Sequence, residues 1–263
     1  MDPAYDTCWK IWLAYQERMC PFLPDIGHIS PKLEFLELLA AAGHSYIVKV
    51  RFDGNIFALK LYTLTQPHWS PSRFVINALE MDPFIIECRV YDSLIENNLT
   101  GVVGPYCHGW LTIDRDQEDG LQIALRKTLN WRRRSDTDDS PICGLLLEYV
   151  HGCTLEKAYI TPAGTQSLRE QLGYLHSLDI IHGDLFPRNV MVSEDGRAFL
   201  VDFSSACLWP TNRAIVRKRE TFDEYKEDEK SILELFFFRL QNVSFPFPRL
   251  FFLTSHCKTV KTP

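Results

Sequence analysis

Hydrophobic and polar residues alternate with the period of a strand through residues 33–64. Residues 46–52 and 55–61 are two such runs, and Asp53-Gly54 separates them. That pattern predicts a hairpin, because Asp-Gly supplies the positive φ angles of a tight turn. The period then changes. In residues 83–97, Phe84, Cys88, Tyr91 and Ile95 fall at helical spacing and make one buried stripe. Strand-like runs return at 104–113 and 142–150, enclosing a hydrophilic insertion at 114–141. The insertion holds Arg132-Arg133-Arg134 followed by Asp136, Asp138 and Asp139, and is expected to be a solvated loop with one short helix. Ser167-Leu168-Arg169-Glu170 has the form of a capping box, opening a helix whose apolar stripe is Leu168, Leu172 and Leu175. A second hairpin is predicted from 190–193 and 198–201, turning at Asp195-Gly196, and a last helix over 223–240.

The remaining segments carry less pattern. Residues 1–32 are expected to be an arm with one short helix at 6–18, and 65–82 are polar and interrupted by prolines. Residues 241–263 are a Phe-rich tail without a period. A chain of 263 residues can form one domain of two lobes or two small domains. Its 46% hydrophobic and 24% charged content excludes wholesale disorder. The net charge of -6 argues against nucleic acid or an anionic membrane as partner. The eight cysteines include no C-x-x-C pair, so a zinc site is not expected. There is no basic-then-apolar N-terminus and no run of membrane-spanning length, so a soluble, cytoplasmic protein is expected.

Candidate chemistry concentrates in the segment His182-Gly183-Asp184-Leu185-Phe186-Pro187-Arg188-Asn189 and in Asp202 beyond the second hairpin. A tight hairpin returns the chain beside its own start, which brings Asp202 near Asn189. An amide and a carboxylate are hard oxygen ligands of the kind magnesium takes. Asp184 then remains as a free carboxylate able to orient a hydroxyl. Phosphoryl transfer from ATP needs these parts and a cation on the nucleotide. Either aspartate alone is better explained as a turn cap; the ordered set is not.

These residues resemble the protein-kinase superfamily. His182-Gly183-Asp184-Leu185 with Asn189 is similar to its catalytic loop, and Val201-Asp202-Phe203-Ser204 to its metal-binding segment. Ala58-Leu59-Lys60 resembles its third-strand lysine motif, and Leu147-Glu148-Tyr149-Val150-His151-Gly152 its hinge. Glu87 is preferred over Glu80 and Glu96 as partner of Lys60, because it precedes Tyr91 by four residues on one helix face. The overall look is closest to a group of small divergent kinase-like proteins known from fungi, on Gly43-His44-Ser45, Glu87-Cys88-Arg89-Val90-Tyr91 and the His-Gly-Asp loop.

The resemblance implies an α+β, bilobal fold with a small antiparallel-sheet N-lobe at 33–149 and a mainly helical, shortened C-lobe at 150–240. Asp184 would act as base on the acceptor hydroxyl, and Asn189 and Asp202 would bind Mg2+. Lys60, held by Glu87, would contact the ATP phosphates, and Gly43 and Val48 would also belong to the ATP-binding site. Ala58 and Met191 would enclose the adenine, Leu147 would be the gatekeeper, and the backbone of Glu148, Tyr149 and Val150 would bond its edge. Tyr91, His182 and Phe203 would stack between the lobes, and Asp228 would anchor the catalytic loop from below.

Four departures accompany the resemblance. One glycine stands where the phosphate loop usually has three, Gly183 replaces an arginine, Ser204 replaces a glycine, and no Ala-Pro-Glu follows. The expected function is a Mg-ATP-dependent phosphotransferase acting on a hydroxyl, protein Ser/Thr by family default or a small molecule. The alternative is a pseudokinase serving as an ATP-binding or scaffolding module.

Overall fold

The computed structural model describes residues 16–64, 81–133, 140–211 and 218–242. The expectations for 65–80, for Asp136, Asp138 and Asp139, for the tail beyond 242 and for most of the helix at 6–18 lie outside the described residues.

Strand alternation builds the upper lobe. β1 (Glu34–Ala41), β2 (Ser45–Phe52), β3 (Asn55–Tyr62), β4 (Cys107–Ile113) and β5 (Ile142–Glu148) form an antiparallel sheet in the order β1-β2-β3-β5-β4. The β2–β3 turn has Asp53 at φ 47 and Gly54 at φ 76, the two left-handed residues such a turn requires. Because side chains alternate faces, β3 sends Leu59 and Leu61 to an outer core with Val48 and Val50. Its Ala58 and Tyr62 belong to an inner core shared with the lower lobe.

Helix α1 (Pro83–Glu96) packs on the inner face. Asp82 caps it, accepting from the backbone N–H of Phe84 at 2.9 Å and of Ile85 at 3.1 Å. Phe84, Cys88 and Tyr91 are buried along the predicted stripe, with Ile95 packed against the same core.

Two segments differ from expectation. The insertion is not a solvated loop. Its helix α2 (Arg115–Leu125) packs on β1, and Leu121, Leu129 and Trp131 are buried in the outer core. Arg133 pairs with the buried Glu118 at 2.6 Å, so part of the charge seen in sequence is internal. Residues 20–32 are likewise not a detached arm. Cys20, Leu23 and Ile29 are buried, and Asp92 on α1 accepts from the backbone N–H of Phe22 at 2.7 Å and of Leu23 at 2.8 Å. The segment then bonds to β4, where Trp110 N–H donates to Pro24 C=O at 2.9 Å. Gly109 sits at φ 138, and a Cβ there would lie 2.4 Å from the Pro24 oxygen, so the strap needs glycine at this position.

The lower lobe begins with β6 (Gly152–Thr154) and α3 (Pro162–Ser177). α3 starts five residues before Ser167: Thr161 caps it through Gly164 N–H at 3.0 Å and Pro162 follows. Ser167 is inside the helix, where its hydroxyl accepts from Gln171 at 3.1 Å, so the apparent capping box is an interior turn. Gln171 also donates to Ala198 C=O at 2.6 Å and accepts from Leu200 N–H at 3.0 Å, fixing the second hairpin to α3. After β7 (Ile180–Ile181), that hairpin is β8 (Val190–Ser193) and β9 (Ala198–Leu200), in a three-stranded sheet ordered β6-β8-β9. β10 (Cys207–Leu208) pairs with β7, and α4 (Arg219–Asn242) extends the predicted last helix at its N-terminal end. The result is an α+β fold of two lobes, sheet above and helices below. No helix of the described residues is long and apolar enough to cross a membrane.

The strap predicts its own dependence on Asp92. Asp92→Ala leaves the buried Leu23 N–H and the part-buried Phe22 N–H without an acceptor and should cost about 1–3 kcal/mol in urea unfolding. Asp92→Asn, which keeps an acceptor oxygen, should lose less.

Candidate functional site

Lys60 lies on the inner face of β3, 2% exposed. A buried ammonium requires partners, and two other elements supply them. Its Nζ donates to Glu87 Oε2 of α1 at 2.5 Å and to Asp202 Oδ1 at 2.8 Å. Tyr62, two residues on and therefore on the same face, donates its hydroxyl to the same Glu87 oxygen at 2.6 Å. Glu96 sits at the far end of α1, and Glu80 lies outside the described residues. One turn after Glu87, Tyr91 meets the Phe203 ring edge-on with centroids 5.5 Å apart, and His182 packs on Phe203 at 5.3 Å.

The electrostatics follow from burial and pairing. Burial pulls the Lys60 ammonium down, but the charges of Glu87 and Asp202 and their hydrogen bonds more than restore it, so its pKa is raised. Burial is also the largest influence on Glu87 and raises its pKa against the pull of Lys60. Asp202 goes the other way. Burial opposes its charge, yet His44, Lys60 and Ser204 together hold its carboxyl well below the usual carboxylate range. Ser204 Oγ donates to Asp202 Oδ1 at 2.6 Å. The serine in place of glycine is therefore a partner of the carboxylate.

The lower rim is the loop from His182 to Asn189. Asn189 Nδ2 donates to Asp184 C=O and to Asp184 Oδ2, both at 2.8 Å. The second hairpin returns as expected: Val201 N–H donates to Asn189 C=O at 2.9 Å, and Asp202 follows in a left-handed conformation at φ 65. Arg188 grips the Asp184 carboxylate through Nη2, at 2.7 Å and 3.0 Å, and lies over the Phe186 ring. Gly183 sits at φ 78, and a Cβ there would come within 2.3 Å of Ser205 C=O. The chain backs so closely onto Ser205 that no arginine fits where the kinase motif carries one.

The loop is anchored from α4, one residue away from the expected position. Glu229, 5% exposed, accepts from Gly183 N–H at 2.7 Å through Oε1, and from His182 N–H at 3.1 Å through Oε2, which also meets His176 Nε2 at 2.9 Å. Asp228 is exposed, because one step along a helix turns a side chain by about 100°.

The expected nucleotide-base residues divide into two groups. Ala58 and Leu147 are cross-strand partners on β3 and β5, and Ala58 is on the inner face with Lys60. Glu148 opens the hinge and meets the Tyr106 backbone twice: its N–H donates to Tyr106 C=O at 2.7 Å, and its side-chain Oε2 accepts from Tyr106 N–H at 3.1 Å. Val150 is buried beyond it, and Met191 is half-buried on β8. Val48 is elsewhere. It pairs with Leu59 and is wholly buried in the outer core, whereas the residue opposite Ala58 is Lys49. Gly43 in the β1–β2 turn has no left-handed φ and open space around it, so nothing in the fold demands glycine there. Its neighbour His44 points inward, with Nε2 3.8 Å from Asp202 Oδ1 and its carbonyl held by Thr63 N–H at 2.9 Å.

Sequence reasoning missed Tyr62, His44, Lys49, Arg188 and Glu229. For Tyr62 the signal was present, two residues from Lys60 on a strand. For Arg188 it was a cation four residues from Asp184. For Glu229 nothing separates it in sequence from the acidic residues beside it.

The family described as kinetochore Sim4 complex subunit FTA2 matches this chain over residues 19–207. Shorter stretches resemble serine/threonine-protein kinases. The match to Sgk1 of Xenopus tropicalis is 33% identical over 67 residues, covering 22% of this chain and 16% of that protein. KIPK1 of Arabidopsis thaliana is 35% identical over 92 residues, covering 31% and 10%. Sgk2 of Mus musculus is 36% identical over 67 residues, covering 22% and 18%. The chain thus spans less than a fifth of the length of the curated relatives it matches. A protein-kinase-like relationship is shown.

The low pKa of Asp202 carries a pH signature. A carboxylate depressed in the folded state adds stability above its unfolded pKa, and loses it as the pH falls toward the folded one. The stability gap between wild type and Asp202→Asn should be full at pH 7 and shrink below the ordinary carboxylate range of about 4. Urea unfolding at pH 7, 5 and 3 measures it, and a constant gap would contradict the depressed pKa.

Proposed function

Since the chain belongs to the family of the kinetochore Sim4 complex subunit FTA2, we propose that it is a kinase-like subunit that binds Mg-ATP between its lobes and transfers the terminal phosphoryl group to a hydroxyl. One observation carries this reading: Lys60, Glu87 and Asp202 close into one buried network beside Asp184 and Asn189. A turn cap or a scaffold needs no such convergence of an ammonium, two carboxylates and an amide.

The side chains fit a magnesium ion. Asn189 spends its Nδ2 on Asp184, which leaves its amide oxygen on the other side of the group, and Asp202 is held ionised. Among the described residues no cluster of three His, Cys, Asp or Glu side chains could hold a metal by itself. Asn189 and Asp202 would therefore share the ion with phosphate oxygens, as magnesium in nucleotide sites usually is. When bound, it would neutralise the phosphate charge. Lys60 would hold the nucleotide, its position fixed by Glu87 and Tyr62. Asp184 would accept the proton of the acceptor hydroxyl as the oxygen–phosphorus bond forms and ADP departs. For that, Arg188 must release the carboxylate. It is 51% exposed, so its pairing is cheap to break.

The kinetochore description of the family and the serine/threonine kinases among the partial relatives support a hydroxyl on a neighbouring protein as acceptor. Thermal-shift titration with Mg-ATP should raise the wild-type midpoint and leave Asp202→Ala unmoved. No shift at millimolar nucleotide removes the binding claim. Asp184→Asn should keep binding and lose product formation by roughly 100-fold or more. Equal background turnover in wild type and Asp184→Asn would leave a nucleotide-binding module without transfer.

A further inference from the structure

The residue facing the cleft opposite Ala58 is a lysine, and it is half-buried. Lys49 pairs with Ala58, and Ala58 pairs with Leu147. β2 and β5 are thus separated by β3, and strands lie about 4.8 Å apart, so β2 and β5 are about 10 Å apart. Yet Lys49 Nζ sits 4.5 Å from the centroid of the Tyr149 ring, one residue beyond the end of β5. Between them, the Lys49 and Tyr149 side chains therefore bridge the inner face of β3, which lies between the two strands. His151 meets the Tyr149 ring edge-on, with centroids 4.7 Å apart.

The ground between Ala58, Leu147 and the hinge is where the proposed reading seats the adenine. We propose that Lys49 and Tyr149 form a latch across this slot, which a nucleotide base must open on entry. The idea rests on nucleotide binding in this cleft and adds to it the residue that sets how readily the base is admitted. A cation over an aromatic face is attracted to it, and the lysine stem occupies apolar surface that the base would otherwise cover. Both contacts are lost when the base enters. The phosphate end needs no such displacement from Lys49, since Lys60, Glu87 and Asp202 are already assembled. The affinity cost therefore belongs to the base and is the same for adenosine as for ATP.

The test is titration calorimetry on the full chain with Mg-ATP and with adenosine alone, for wild type, Lys49→Val and Lys49→Arg. Lys49→Val removes the latch and should tighten both ligands by about two- to five-fold, the range of a partly exposed cation–π contact. Lys49→Arg keeps a cation over the ring and should bind both as wild type does. If wild type binds and Lys49→Val is unchanged or weaker, the latch is overturned while nucleotide binding stands. If Lys49→Val tightens ATP and leaves adenosine unmoved, the latch is also wrong, because the effect would then act on the phosphates. If neither wild type nor Lys49→Val binds either ligand, both readings fall.

Discussion

A lysine ammonium buried in a sheet is expensive unless it is paired, and the pairing of Lys60 is what joins this molecule together. Its two carboxylates come from different places, Glu87 from α1 and Asp202 from the segment after the second hairpin. No one of the three elements can shift without leaving a charge unpaired in the interior. The helix is held at other points too, by the strap through Asp92 and by Tyr91 against Phe203. Glu87 is thus presented to Lys60 by packing already present within the chain.

The lower lobe applies the same economy to backbone groups. The loop carrying Asp184 is irregular, so its N–H groups need acceptors from outside. Glu229 supplies them to His182 and Gly183 and is buried with His176 as it does so. Gly183 has to be glycine because the loop lies against Ser205. The departure from the usual kinase arginine is then a consequence of how tightly this loop is seated. The left-handed Asp202 is held by Lys60 and Ser204 on one oxygen, which fixes an unfavourable backbone in place.

Much of this was legible in the sequence, and the parts that were not share physical causes. The Asp53-Gly54 hairpin, α1 and the return of Asp202 to Asn189 depend on turn chemistry and short-range periodicity, which a sequence displays. The strap at 20–32 has neither; it is held by backbone bonds to Asp92 and Trp110 that no local pattern encodes. Placing Val48 in the cleft failed by one residue of strand parity, which reverses the face. Asp228 failed by one residue on a helix. The start of α3 was displaced because Ser167 and Glu170 imitate a cap, while Thr161 and Pro162 provide it. In these last three cases the type of element was right, and its phase was set by tertiary contacts.

Two of the ion pairs near the proposed chemistry differ in a way that orders events. Lys60 and Glu87 are almost wholly buried, so parting them would strand charge in a poorly solvated interior. Arg188 is about half exposed and Asp184 half-buried, and pairs open to solvent contribute only about 0–1 kcal/mol. Water can take over either partner of the second pair at little cost. The groups that would hold phosphates are therefore rigid, and the group that would meet the acceptor is readily freed. An acceptor hydroxyl would have to compete with Arg188 and with the Asn189 amide for the Asp184 carboxylate, whereas the Lys60, Glu87 and Asp202 network is already assembled. The chain thus invests its rigidity where charge must be positioned, and leaves the side facing an acceptor adjustable.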